Sequence, residues 1–259
     1  VGVGIGFAAH VNGRAGLVLT SSNMPGWDRM PLRDRVAEAI GLPVVLENDA
    51  NCAALAEYRY GAGRGCRDMV YLTMSTGLGI GIIIDGKLYA GHTGTAGELG
   101  HTVVHYDDRT CACGKRGCLM AYACGMGLQD MAAERIAAGE PTLLREMCDG
   151  DSTRINGEMV HKAAKGGDRV AAELIHTLGR YLGVGLSTVV QVLNPEVIVL
   201  GGGLVRIGPA VLDPAMESLR ENVHPVLWDS AKIVLSQFWD DAGVIGAAQI
   251  VFEAEDVGV

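Results

Sequence analysis

One imidazole and three thiols come close together in the middle of this sequence. The four residues are His101, Cys111, Cys113 and Cys118. Nine, one and four residues separate them, and Gly114 and Gly117 allow the chain to turn back tightly enough for all four to converge. One histidine and three cysteines match a closed tetrahedral zinc site, which fixes a loop and leaves no water to activate. Two alternatives remain open: reduced loop cysteines without a metal, and a Cys-x-Cys redox pair.

A carboxylate and an amide stand where a strand pattern gives way to a helix pattern. In LENDANCAALAE (residues 46–57) the apolar run stops at Glu47, and Asn48 and Asp49 precede the helical residues. At such a junction Asp49 could cap the helix, or it could act as a general base in a cleft. Asn48 can both donate and accept hydrogen bonds, which suits a sugar hydroxyl.

Two glycine-rich turns follow apolar strand patterns. They are STGLGIG (residues 75–81) and GGGL (residues 201–204). Such turns expose backbone N–H groups that can bind phosphate, or they allow an adenosine to approach the backbone. Neither is a Walker sequence or a dinucleotide fingerprint in its proper context, so either could simply be a tight turn.

The elements that must position these residues alternate between strand and helix patterns, which predicts an α/β fold with mainly parallel sheets. The predicted strands are VGVGIGF, GLVLT, LPVVLEN, DMVYLTMS, GIGIII, PEVIVLGGG and AKIVLS. The Asp85-Gly86 pair predicts a hairpin turn. Helices are predicted for PLRDRVAEAIG, DANCAALAEYRYGAG, most of residues 125–194 and DDAGVIGAAQIVFEA. The apolar stripe from Val170 to Leu193 predicts core packing, with a dimer face as the alternative.

Composition limits the classes of protein. The chain has 259 residues, seven cysteines and a formal net charge of −9. An odd cysteine count in a chain of this size argues against a disulfide framework, so Cys52, Cys66, Cys124 and Cys148 are interpreted as structural thiols. No basic run favours nucleic acid, and no apolar run or signal peptide favours a membrane, so we predict a soluble cytoplasmic protein. The first residue, Val1, opens on a strand pattern, which suggests an upstream segment.

The motifs taken together, in their order, resemble the ROK family (repressors, open reading frames and sugar kinases), and especially its bacterial glucokinase branch. They are ENDAN, STGLG, AGELGH, CxCGxxGC, VIVLGGG and DDAGVIGAA, and they run over nearly the whole chain. The resemblance implies an actin-like (ribonuclease H-like) ATPase fold of two α/β lobes around a cleft, and a homodimer. Residues 1–51 would form a small lobe onto which residues 242–259 pack. Residues 52–241 would form a large lobe with the zinc-binding loop.

The resemblance also implies a role for each motif residue. Asp49 would be the general base that takes the proton from the 6-hydroxyl of a hexose. The sugar contacts would be Asn48, Asp49, Glu98, His101 and, in SSNMPGW, Asn23. The ATP contacts would be Thr76, Gly77 and Gly79 near the phosphates, with Gly201, Gly202 and Gly203 near the adenosine. Zn²⁺ would bind to His101, Cys111, Cys113 and Cys118, and Mg²⁺ would accompany ATP.

The sequence departs from the family pattern at three points, one of which is that Ala9 and Ile80 stand where the glucokinase branch has glycines near the sugar and in the phosphate turn. The family's kinases carry an Asp-x-Gly-Gly-Thr phosphate turn that does not occur in this sequence, and Met120 stands where the pattern has a glutamate that contacts the sugar. A thioether cannot replace that carboxylate, so hexose affinity should be reduced. The predicted function is an ATP-dependent kinase of glucose or a related N-acyl hexosamine. The alternative is a non-catalytic sugar-sensing effector domain of a ROK-type transcriptional repressor.

Overall fold

A computed structural model describes residues 2–21, 24 and 26–256. The strands in this part of the chain are β1 Val3–Phe7, β2 His10–Asn12, β3 Leu17–Thr20, β4 Val44–Asn48, β5 Met69–Met74, β6 Leu78–Ile84, β7 Lys87–Leu88, β8 Val197–Gly201 and β9 Lys232–Leu235. The helices are α1 Leu32–Ile40, α2 Asp49–Arg59, α3 Gly125–Ala137, α4 Leu144–Met147, α5 Gly157–Lys165, α6 Arg169–Leu193, α7 Pro209–Asn222 and α8 Ala242–Asp256.

The largest sheet has five strands in the order β7-β6-β5-β8-β9. Strands β5, β8 and β9 run parallel, whereas β5, β6 and β7 are antiparallel neighbours. Two smaller sheets pair β1 with β4 in parallel and β2 with β3 antiparallel. The α/β prediction is confirmed, but "mainly parallel" is wrong for half of the pairs. The reason is local, because tight hairpin turns such as Asp85-Gly86, with φ of 51° and 75°, force antiparallel pairing.

The long helix α6 supplies much of the core. Its apolar stripe is buried within the chain, which confirms the prediction of core packing: Val170, Leu174, Leu178, Leu182, Leu186 and Val189. Helix α7, which the sequence pattern does not predict, packs along it. Pro214 lies inside α7 and interrupts the helical signal, yet it is buried against Gly179 of α6. Neither α6 nor any other helix in the described part of the chain has the apolar length to cross a membrane.

Helix α2, which begins at Asp49, lies between the largest sheet and α8. A Cβ at Gly246 of α8 would stand 1.7 Å from the backbone oxygen of Cys52 in α2, and one at Gly4 of β1 would stand 1.6 Å from the oxygen of Ala247. The C-terminal helix therefore packs against both α2 and β1. The predicted lobe boundary after residue 51 falls inside the continuous helix α2, so we propose that α2 bridges the two lobes.

Gly246→Ala should destabilise the protein by about 1–3 kcal/mol, because the added methyl group has no room between α8 and α2. Gly243→Ala in the same helix is the matched control. A Cβ at Gly243 meets no atom within 4 Å, and alanine favours a helix over glycine by about 1 kcal/mol. Urea unfolding followed by circular dichroism measures both free energies. Equal stability of the two variants would contradict the close packing of α2 and α8.

Candidate active site

Residues from distant parts of the chain line one cavity of 540 Å³. Its wall includes seven of the predicted site residues: Asn48, Asp49, Thr76, Gly77, Gly79, Glu98 and His101. The junction of β4 and α2 supplies one side, the turn between β5 and β6 a second, and the segment 94–101 a third. The fold therefore brings the ENDAN, STGLG and AGELGH motifs together around one space.

At the β4–α2 junction, Asn48 caps helix α2 and the neighbouring Asp49 lines the cavity. The Asn48 side-chain oxygen accepts hydrogen bonds from the backbone N–H groups of Ala50 at 2.9 Å and Asn51 at 3.2 Å, and Asn48 Nδ2 donates to the backbone oxygen of Ala9 at 3.2 Å. Asn48 is therefore the cap of α2, and Asp49 is not. One hydrogen of the Asn48 amide remains for its predicted sugar contact, which stays a prediction.

Burial raises the pKa of Asp49, and it outweighs the hydrogen bonding from Ala50, from the residue's own N–H and from Asn48 that lowers it. Burial likewise raises the pKa of Glu47, whose Oε1 accepts hydrogen bonds from Asn48 N at 2.8 Å and Asn51 Nδ2 at 2.9 Å. These bonds hold Glu47 in the turn. Asp49 instead reaches the cavity wall with an increased affinity for a proton, which is the property a general base needs.

Two histidines flank the Glu98 carboxylate in the cavity. His101 Nε2 lies 3.9 Å from Glu98 Oε2, and His10 Nε2 lies 3.4 Å from Glu98 Oε1. The two imidazole rings are nearly parallel, with centroids 6.1 Å apart and an interplanar angle of 17°. The interaction with Glu98 raises the pKa of His10. Sequence reasoning missed His10, since no motif or spacing links it to AGELGH.

The predicted zinc ligands converge at one point. Their donor atoms all lie within 4.8 Å of one another, with 3.8 Å between His101 Nδ1 and Cys111 Sγ and 3.8 Å between Cys113 Sγ and Cys118 Sγ. Tetrahedral zinc with ordinary bond lengths requires about 3.8 Å between sulfurs and about 3.6 Å between sulfur and nitrogen. The four side chains therefore fit a zinc ion, which remains a prediction. With Nδ1 on the metal, His101 Nε2 would face Glu98 and the cavity.

Close contacts anchor the loop that carries the cysteines. A Cβ at Gly117, whose φ is 74°, would stand 1.8 Å from the backbone oxygen of His105, so only glycine fits there. The Tyr122 hydroxyl donates to Asp108 Oδ2 at 2.5 Å, and the Tyr122 ring stacks on Tyr181 of α6 with centroids 4.0 Å apart. These contacts attach the cysteine loop to the helical core.

Met120 lines the same cavity beside Gly77 and Gly100. Its thioether thus lies between the turn after β5 and the residues next to His101. A thioether is at most a weak acceptor, so this part of the wall offers no strong polar contact.

A second cavity of 570 Å³ adjoins the first, and Ser75, Thr76 and Met126 line both. Gly203, a predicted adenosine contact, lines the second cavity, together with Gln129, Arg154, Asn156, Glu158 and Arg206, which were not among the predicted site residues. Gly201 and Gly202 line neither cavity. Gly202 has a φ of 90° and packs on the Met74 backbone, while Gly201 packs against the Tyr71 side chain, so neither position has room for a Cβ. The predicted sugar contact Asn23 lies outside the described residues.

Comparisons with known proteins support the resemblance that the motifs indicate. A family model described as the ROK family matches residues 1–254. The glucokinase of Streptomyces coelicolor is 38% identical over 264 aligned residues, covering 99% of this chain and 82% of that protein. The xylose repressor of Caldicellulosiruptor bescii is 32% identical, covering 97% of this chain and 62% of that protein.

Among solved structures, a ROK family glucokinase from Streptomyces griseus in complex with glucose and AMPPNP superposes with a TM-score of 0.84. It is 39% identical, and the match covers 96% of this chain and 80% of that chain. This similarity confirms the predicted actin-like (ribonuclease H-like) ATPase fold. Because the family's pattern extends over residues 1–254 and the fold agrees, this chain belongs to the ROK family.

Proposed function

We propose that this protein is an ATP-dependent hexose kinase that phosphorylates the 6-hydroxyl of glucose or a related N-acyl hexosamine, with Asp49 as the general base. The observation that carries the proposal is the single cavity in which Asp49, Glu98 and His101 face the glycine turn at residues 76–79. The sugar-kinase class itself is confirmed by the glucokinases that this chain resembles.

In the proposed reaction Asp49 takes the proton of the 6-hydroxyl as its oxygen attacks the γ-phosphorus of ATP. The new oxygen–phosphorus bond forms while the bond between the γ-phosphorus and the bridging oxygen breaks, and ADP leaves. Such a transfer depends mainly on positioning and charge stabilisation. Glu98 and His101 would hold ring hydroxyls at the far end of the sugar, which fixes the attacking oxygen beside Asp49.

ATP would occupy the second cavity, with its phosphates at the shared boundary formed by Ser75 and Thr76. The similarity to a glucokinase complexed with AMPPNP supports ATP as the donor. Among the residues that line the two cavities, no pair of carboxylates lies at this boundary. No protein ligand is therefore assigned to Mg²⁺, which we propose accompanies the ATP phosphates.

Zinc, when bound, would supply a fixed crosslink and no reacting group, because four protein ligands leave no open coordination position. His101 would hold this ion through Nδ1 and present Nε2 to the sugar. The cysteine loop would thereby fix one wall of the sugar site. A homodimer remains part of the proposal, although the apolar stripe of α6 is already buried within one chain.

A sugar-sensing effector domain is the second candidate, favoured by the similarity to a xylose repressor and by the apolar Met120 in the cavity wall. A sensor would bind sugar without turnover. Asp49 favours the kinase, because a sensor needs no base at this position.

A coupled ADP-release assay tests the proposal with glucose, N-acetylglucosamine and N-acetylmannosamine. We expect sugar-dependent ADP formation with at least one of them, and a rate about 10²- to 10⁴-fold lower for Asp49→Asn. Sugar binding by calorimetry without ADP release from the wild-type protein would favour the sensor.

Met120→Glu should strengthen sugar binding. A carboxylate in place of the thioether could accept a charge-assisted hydrogen bond from a sugar hydroxyl, which contributes about 1.5–3 kcal/mol, or roughly 10- to 150-fold in affinity. Met120→Gln, of similar length but without the charge, is the control and should gain less. Calorimetric titration with glucose measures both, and an unchanged affinity in Met120→Glu would place the sugar away from residue 120.

A further inference from the structure

Two imidazoles flank the Glu98 carboxylate, and neither makes a well-formed hydrogen bond with it. The contacts of 3.4 Å to His10 Nε2 and 3.9 Å to His101 Nε2 both exceed the 2.7–3.2 Å of a well-formed N–H···O hydrogen bond. Each imidazole faces a different carboxylate oxygen, His10 facing Oε1 and His101 facing Oε2. Both contacts are made to the same carboxylate group, and the two rings are nearly parallel.

His10 reaches this position through an irregularity in the pairing of β2 with β3. His10 pairs with Thr20 and Val11 with Val18, so one extra residue of β3 is accommodated between them. Irregularities of this kind redirect side chains and are common beside active sites. Val11 is 1% exposed in the core, whereas the His10 side chain is 39% exposed and lines the cavity.

At the Glu98 end of the cavity, the imidazoles of His10 and His101 offer N–H donors beside the carboxylate. The carboxylates of Asp49 and Glu98 supply acceptors, and most of the Asn48 amide is engaged in capping α2 and in the bond to Ala9. A sugar hydroxyl donates one hydrogen bond and accepts others, so it needs a donor and an acceptor together. His10 and Glu98 form such a pair, and so do His101 and Glu98.

We propose that His10 is a substrate-contacting, specificity-determining residue that binds one hydroxyl of a vicinal diol. In this arrangement two adjacent hydroxyls each donate to one oxygen of Glu98. The first accepts from the His10 imidazole, and the second accepts from His101. The proposal rests on the proposed function for the location of the sugar, and it adds a residue that selects for two neighbouring hydroxyls at the end of the ring opposite the 6-hydroxyl.

The test combines variants of His10 with deoxy sugars. His10→Phe keeps a flat ring beside His101 but removes the donor, and His10→Gln restores a donor. His176→Ala, on the exposed face of α6, is the matched control. Glucose affinity of the full chain is measured by calorimetry, and kcat and KM by ADP release, for glucose and its 1-, 2- and 3-deoxy derivatives.

For glucose, His10→Phe should raise the dissociation constant and KM by about 10- to 100-fold with a much smaller change in kcat, and His10→Gln should recover part of the loss. For the deoxy derivative that lacks the hydroxyl facing His10, the wild-type protein and His10→Phe should bind equally. His176→Ala should match the wild type with every sugar.

Two results would overturn the role of His10: unchanged glucose affinity in His10→Phe, or an equal loss with glucose and with every deoxy derivative. These outcomes are distinct from failure of the proposed function. If the wild-type protein releases no ADP but binds glucose, the kinase proposal fails and the binding comparison still decides the role of His10. If the wild-type protein binds none of these sugars, both proposals fail.

Discussion

Asp49→Asn should lower kcat by about 10²- to 10⁴-fold, the usual contribution of a general base, with little change in the glucose dissociation constant. The amide keeps the size of the side chain at the start of α2 but cannot accept the proton of the attacking hydroxyl. Because Asn48 caps α2, the helix should keep its N-terminal hydrogen bonds in the variant. Asp130→Asn, at an exposed position of α3, is the control and should keep full activity.

The same substitution should not destabilise the protein at pH 7. Burial raises the pKa of Asp49, so the folded state disfavours its charged form. The contribution of Asp49 to stability is therefore fully present only below its unfolded pKa and is lost as pH rises through the folded pKa. Differential scanning calorimetry at pH 7 should give Asp49→Asn a Tm equal to or above that of the wild type.

Kinase activity should depend on pH through the ionisation of Asp49. The base must be ionised, so kcat/KM should fall toward acid with a midpoint above 3.8, the ordinary pKa of an aspartate. Full activity of Asp49→Asn, or a loss explained by a lower Tm, would remove Asp49 from the proposed mechanism.

Cys118→Ser should abolish zinc binding and, with it, most of the sugar affinity. Cys118 is buried between the other ligands and the helical core, and a serine hydroxyl is a poor replacement for a thiolate on zinc. Without the ion, His101 loses the bond that orients Nε2 toward Glu98, and losses of this kind cost about 10- to 100-fold in affinity or activity. Metal analysis should find one zinc ion per wild-type chain and none in the variant.

Cys66→Ser is the matched control, because Cys66 lies outside the cluster and its thiol donates to the backbone oxygen of Gly63, which a hydroxyl can also do. It should keep both zinc and activity. Zinc binding should weaken steeply toward acid, since burial raises the pKa of Cys118 to about 12 and the ion must displace the thiol proton. Unchanged glucose affinity after complete removal of zinc would contradict a role for the metal in shaping the sugar site.

Residues that are close together in the sequence specify much of the local structure of the site. The short spacing of Cys111, Cys113 and Cys118, with Gly117 before the last of them, favours a convergent loop because only one and four residues separate these thiols. The strand-to-helix change at Asn48 and the glycine turn at Thr76–Gly79 are likewise set by neighbouring residues. The order of these motifs along the chain matches the pattern of one family.

Which of these residues share one cavity depends on contacts between elements that are remote in the chain. His10 and Glu98 are far apart in the chain, and their contact depends on the irregular pairing of β2 with β3. Gly201 and Gly202 pack closely on β5, a feature that no local pattern encodes, while their predicted adenosine contact stays a prediction. The raised pKa of Asp49 has the same origin, since burial is set by elements remote in sequence and not by the residues beside the carboxylate.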